Sequence, residues 1–150
     1  MSAVLHPHAA EAVPFELDGQ PVQARPGETI WQAALRHGVE IPHLCHTEGL
    51  RPDGNCRACV VEIAGERTLA PSCCRQPTPG MQVRAQSPRA RKSQQMVVEM
   101  LLSDLPEQGH KWLEDDPARP HGELSTWAGA LGVTVRPALA ALRREAPRPT

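Results

Sequence analysis

The sequence contains nothing that spans a membrane. No apolar run approaches the roughly 18 residues that a crossing requires. The start, MSAVLHPHAAEAVP, lacks the basic lead and apolar centre of a signal peptide. Together these absences predict a cytoplasmic, reducing location and no membrane partner. Excess charge is missing too. Sixteen Lys and Arg against seventeen Asp and Glu leave a net charge of −1. No strongly charged partner such as nucleic acid is therefore expected, and the basic clusters at 84–92 and 143–144 read as solvated faces. Tyr is absent, and Phe15 is the single Phe. No internal repeat, phosphate-binding loop or paired nucleophile and base is visible. No active site for chemistry on a substrate is expected.

What the sequence does contain is a knot of thiols. All five cysteines lie between Cys45 and Cys74, with the spacing Cys45-x10-Cys56-x2-Cys59-x13-Cys73 and Cys74 directly after. In a reducing compartment, clustered cysteines are metal ligands or redox groups before they are disulfides. An odd count would also leave one unpaired. A structural zinc site usually shows two Cys-x2-Cys knuckles or matched histidines, and only one knuckle is present. A thioredoxin-like pair would open a helix after a strand, whereas this pair precedes a β-rich run. A Rieske centre needs two histidine ligands. His43 and His46 flank Cys45, but none lies near Cys56 or Cys59, so both read as loop residues. Four thiolates on a 2Fe–2S cluster remain as the leading reading. Gly54 would let the backbone approach a bulky cluster. Arg51, Arg57 and Arg75 either stabilise an added electron, dock an acidic partner, or solvate the loop.

The flanks read as a scaffold. Val13, Phe15 and Leu17 alternate as in a half-buried strand. Asp18-Gly19 suits a two-residue hairpin turn. Val22 and Ala24 continue the return strand, which Pro21 restricts to an edge. Thr29 and Gln32 form a capping box for a helix with Ile30, Ala33 and Ala34 on one face and Leu35 beside them. Gly38 ends that helix. Residues 43–58 are irregular. Val60, Val61 and Ile63 form a strand, with a return beginning at Thr68 and Leu69 and a last short strand at 82–84. Ser87-Pro88 starts a helix whose apolar stripe is Met96, Val97, Met100 and Leu101. Short helices are expected near 123–131 and 135–145. Strands with a helix over so short a span predict an α+β unit.

At this point a family resemblance is visible. GETIWQAALRHGVEIPHLC, GNCRACVVEIAG and LAPSCCRQPTPGM resemble the 2Fe–2S ferredoxin-like domain at the N-terminus of complex I large subunits, iron-only hydrogenases and NAD-linked formate dehydrogenase alpha subunits. Plant-type ferredoxins differ, since their first cysteines are spaced C-x4-C-x2-C. KSQQMVVEMLLSDLP resembles the helix that follows the domain. GELSTWAGALGVTVRPALAALRRE is most like the formate dehydrogenase branch, so the likeness covers roughly 13–145. It implies a β-grasp domain at 13–87, followed by a C-terminal helical extension. The division expected is a flexible lead at 1–12, the domain, a helix at 88–105, a linker at 106–121, a helical hairpin at 122–146 and a disordered tail at 147–150.

The resemblance also implies the ligands: Cys45, Cys56, Cys59 and one of the last two cysteines. In the family that ligand follows a Leu by four residues and precedes Gly-Met by seven. Cys73 meets both conditions, through Leu69 and Gly80. Cys74 is then a bystander, expected to be buried. The implied role is one-electron transfer between a metal-pterin site and a flavin/NAD unit on partner oxidoreductase chains. Further cluster motifs of the larger relatives are missing: His110 is followed by no cysteine. Two alternatives stay open. One is an iron–sulfur sensor using LSTWAGALGVTVRPALAALRR as a DNA-binding helix-turn-helix. The other is a structural zinc module.

Overall fold

The computed structural model describes residues 12–105 and 122–142. The expected linker at 106–121, the tail at 147–150, His110, Arg143 and Arg144, and all of the expected lead except Ala12 lie outside them.

Two alternating segments, β1 (Val13–Leu17) and β2 (Gln20–Ala24), pair antiparallel with Phe15 opposite Val22. Asp18 (φ 48°) and Gly19 (φ 83°) both take the left-handed conformation that the tight hairpin demands. Helix α1 (Ile30–Arg36) follows. Thr29 Oγ1 accepts from the Gln32 N–H, and the Gln32 side chain accepts from the Thr29 N–H, so the capping box is complete. After the irregular cysteine segment come β3 (Val60–Ile63), β4 (Ala70–Pro71) and β5 (Gln82–Arg84). The return strand begins one residue beyond Leu69.

The five strands form one mixed sheet in the order β2-β1-β5-β3-β4. β5 runs parallel to β1 and antiparallel to β3. Leu17, Val83 and Ile63 therefore stand in one row across three strands. They are buried together with Phe15, Val22, Ala24 and Val61 against Ile30, Trp31, Ala33 and Ala34 of α1. The α+β expectation agrees with this mixed sheet and its crossing helix. β2 is an edge strand, which is where Pro21 costs no ladder bond. Leu35 lies outside the apolar face, 45% exposed.

Helix α2 (Pro88–Ser103) is capped by Ser87, whose hydroxyl accepts from the Ala90 N–H. Its buried face is not the expected one. Met96 and Met100 are exposed, and Ala90, Gln94, Val98 and Glu99 point inward. The reason is Gln94. Its amide donates to the carbonyls of Val60 (2.9 Å) and Ala85 (3.3 Å), so a polar side chain satisfies backbone acceptors beside the sheet. That anchor turns the methionines to solvent.

Helix α3 (Gly122–Leu131) packs on α2 through Ala128 and Leu131 against Val98. The second helix of the hairpin is shorter than expected among the described residues: α4 spans only Pro137–Ala140. The Arg136 side chain donates to Glu99 Oε1 at 2.7 Å and its backbone N–H to the same oxygen at 2.9 Å. This arginine thus clamps the hairpin to α2. No helix among the described residues is long and apolar enough to cross a membrane.

Candidate metal centre

The cysteine segment is held at both ends by buried backbone. Where it leaves α1, Ile41 is buried and its carbonyl accepts from Trp31 Nε1 at 3.3 Å. Where it enters β3, Ala58 and Cys59 are buried. Ser72 locks the far arm to this end: its hydroxyl donates to the Cys59 carbonyl at 2.7 Å, and its N–H donates to the same oxygen at 3.1 Å. Helix α1 adds a third tie. The first N–H groups of a helix have no partner within it. Here Ile30 N–H donates to the Arg75 carbonyl and Trp31 N–H to the Ser72 carbonyl. The turn carrying Cys73 is thereby fixed to the start of α1.

Within this frame the thiols come in pairs. Cys45 and Cys56 are half-buried and in contact, and the Cys56 N–H donates to Cys45 Sγ at 3.5 Å. The Ala58 N–H donates to Cys56 Sγ, also at 3.5 Å. Arg57, between them, is left-handed (φ 60°), which turns the chain back on the sulfur. Cys59 and Cys73 are buried, with their sulfurs 3.4 Å apart. Two thiolates bound at about 2.3 Å to one tetrahedral metal stand about 3.8 Å apart, close to that separation. Among the described residues, no three His, Cys, Asp or Glu side chains gather around a single ion position.

Electrostatics divides the pairs. Desolvation, together with the adjacent Cys59 sulfur, pushes the Cys73 thiol far up. Desolvation also raises Cys56, against the backbone N–H of Ala58. At Cys45 desolvation acts upward as well, but the N–H groups of Cys56 and Asn55 outweigh it and hold the thiol below its usual value. Buried thiols of raised pKa stay protonated and inert unless a cation compensates the thiolate.

Cys74 corrects one expectation. It is exposed, with its sulfur 3.6 Å from Cys73 Sγ. Gly54 lies against Cys74: a Cβ on Gly54 would meet Cys74 Sγ at 2.9 Å. Arg75 is paired with Glu66 at 2.6 Å.

Two residues around the loop carry more structure than their sequence suggested. His46 is buried, 4% exposed, and neither ring nitrogen has a hydrogen-bond partner among the described residues. Trp31 meets it edge to face, with centroids 4.9 Å apart. Desolvation, with His43 nearby, lowers the His46 pKa. His43 lies between Trp31 and Trp127 of α3. Flanking position alone could not separate a buried imidazole from a solvated one.

Comparison with known proteins decides the class of centre. Residues 10–88 match the model of a 2Fe-2S iron-sulfur cluster binding domain. The chain belongs to this family. It binds a 2Fe–2S cluster, and the paired thiols and the unpartnered buried imidazole fit such a group.

Among similar proteins, a subunit of the NADH-quinone oxidoreductase of Rickettsia prowazekii is 36% identical over 90 residues, 60% of this chain and 13% of that protein. The mitochondrial NADH dehydrogenase [ubiquinone] iron-sulfur protein 1 of Solanum tuberosum is 35% identical over 100 residues, 67% of this chain and 14% of that one. A subunit of an NADH-quinone oxidoreductase of Rhizobium meliloti is 38% identical over 90 residues, 60% of this chain and 11% of that protein. The matched segment is thus a small part of each of these relatives. A chain in the crystal structure of an NAD+-reducing [NiFe]-hydrogenase in the H2-reduced state superposes with a TM-score of 0.71 at 29% identity, over 92% of this chain and 55% of that one.

Proposed function

We propose that this protein is a one-electron relay of an NAD-linked oxidoreductase, with its cluster ligated by Cys45, Cys56, Cys59 and Cys73. The observation that carries the ligand set is the pairing of sulfurs: Cys45 with Cys56, and Cys59 with Cys73 at 3.4 Å. When bound, the cluster supplies reversible acceptance of a single electron. The chain's own residues do the rest. Ser72 and the first turn of α1 hold the ligand arms in one geometry. The N–H groups of Cys56 and Ala58 donate to ligand sulfurs and offset negative charge there. Cys59 and Cys73 are buried and Cys45 and Cys56 half-buried, so the centre has one sheltered side and one side toward solvent.

Partner chains follow from the same reading. The similar proteins are named for NADH oxidation or NAD+ reduction, which supports a flavin/NAD-binding partner. The finer assignment is a formate dehydrogenase-like complex with a metal-pterin partner in the cytoplasm. It rests on the likeness of residues 122–145 to formate dehydrogenase alpha subunits.

Anaerobic reconstitution followed by dithionite reduction tests the relay. Two irons and two sulfides per chain, with an S = 1/2 EPR signal, are expected. A colourless protein with stoichiometric zinc refutes it. Co-purification with pterin- and flavin-binding subunits, and cluster reduction by formate in that complex, test the finer reading. Reduction by NADH but not by formate would overturn the formate assignment alone.

A further inference from the structure

His46 stands apart from every other buried polar side chain described. Ser72 donates to the Cys59 carbonyl. Ser87 accepts from the Ala90 N–H. Gln94 donates to Val60 and Ala85, and Glu99 accepts from Arg136. Only His46, among these buried residues, has ring nitrogens with no partner. Leaving such a group unsatisfied in the interior is costly, and folded proteins rarely do so. Its neighbour His43 faces the Ile41 carbonyl at 3.2 Å. The ring of His46 is also fixed: Trp31 stands against it at an interplanar angle of 82°, and Trp31 is itself tied to the Ile41 carbonyl. The partner that these nitrogens lack is therefore sought in what binds beside Cys45, the preceding residue in the chain.

We infer that His46 is a positioning residue of the cluster, donating a ring N–H to a sulfur of the bound centre and so favouring its reduced state. The inference rests on the ligand reading above. A hydrogen bond to sulfur stabilises the extra negative charge of the reduced cluster and raises its potential. The indole of Trp31 keeps the donor in one orientation, and burial keeps water from competing for it. A buried water in the same space is the rival occupant.

EPR-monitored redox titration of the full reconstituted chain decides between them. His46→Phe keeps a ring against Trp31 and removes both nitrogens, while His46→Gln keeps a donor without the ring. With His46→Phe the equilibrium constant for reduction should fall about tenfold, which for one electron is a potential lower by about 59 mV. Iron and sulfide content should be unchanged, and His46→Gln should recover part of the shift. An unaltered potential in fully loaded His46→Phe overturns the inference and assigns the space to water. Where His46→Phe fails to load, wild-type protein labelled with 15N in its histidine rings supplies the answer. A hyperfine coupling from a ring nitrogen to the reduced cluster is expected, and its absence overturns the inference. Failure of the ligand reading shows separately, as a normal cluster in Cys73→Ser.

Discussion

The contact between Gly54 and Cys74 offers a sharp test of how the cysteine loop is packed. Gly54 has φ +67°, and a Cβ built on it would lie 2.9 Å from Cys74 Sγ. Gly54→Ala therefore carries two separable costs. The left-handed backbone costs a non-glycine residue about 1–2 kcal/mol. Displacing the sulfur adds about 1 kcal/mol, the low end for overpacking, because Cys74 is exposed and can swing outward. In wild type the loss should be about 2–3 kcal/mol. In a Cys74→Ala background only the backbone part should remain. The difference of about 1 kcal/mol corresponds to about 2–4 °C in Tm for a chain of this size. Thermal melts of the four anaerobically loaded proteins, followed at the cluster's visible absorption, complete the cycle. Equal losses in both backgrounds would refute the packing argument. Full rescue by Cys74→Ala would refute the backbone term.

Three further outcomes are expected. Cys73→Ser should lose or badly distort the cluster while Cys74→Ser retains its visible spectrum, since Cys73 is the buried partner of Cys59 and Cys74 is exposed; the reverse pattern would move the fourth ligand to Cys74. Gln94→Leu strands the carbonyls of Val60 and Ala85 beneath α2 and should cost about 1–3 kcal/mol in urea unfolding; a neutral result would show that α2 is held by its apolar contacts alone. Glu28 has a pKa below the ordinary 4.5, chiefly because Arg36 hydrogen-bonds its carboxylate at 2.8 Å. The unfolded chain therefore binds the proton more readily. The pair's stabilisation is complete above pH 4.5 and is lost as pH falls through the lower folded value. Glu28→Gln should lower stability at neutral pH and flatten the acid limb, as read by denaturant midpoints across pH.

Local rules read the sheet and first helix well because each element is signalled within a few residues. The hairpin turn, the edge placement of Pro21, the Thr29–Gln32 box and the Ser87 cap all depend on neighbours along the chain. The reading of α2 failed for a tertiary reason. A Met-rich stripe looks like a core face, but whether it meets a core depends on what the sheet presents. The sheet presents two carbonyls, and Gln94 answers them. Cys74 was misplaced in the same way, since adjacency to a buried cysteine says nothing about the direction of its own side chain. His46 lacked any signal at all: it is buried with its ring against Trp31, fifteen positions away in sequence.

The sequence by itself pointed to a 2Fe–2S centre, with a structural zinc module left open until the family match decided it. Thiol chemistry and ligand spacing are covalent properties of the chain, and Cys45-x10-Cys56-x2-Cys59 is distinctive before anything folds. It also determined the strands and helix that carry the loop, through alternation, turn dipeptides and caps. Tertiary structure alone decided which sulfurs meet, that Cys73 lies inside and Cys74 outside, and which histidine loses its water. Those outcomes depend on contacts between segments distant in sequence, such as Ser72 on Cys59 and Trp31 on His46. Desolvation is a property of the packed whole, and no pattern of neighbouring residues encodes it.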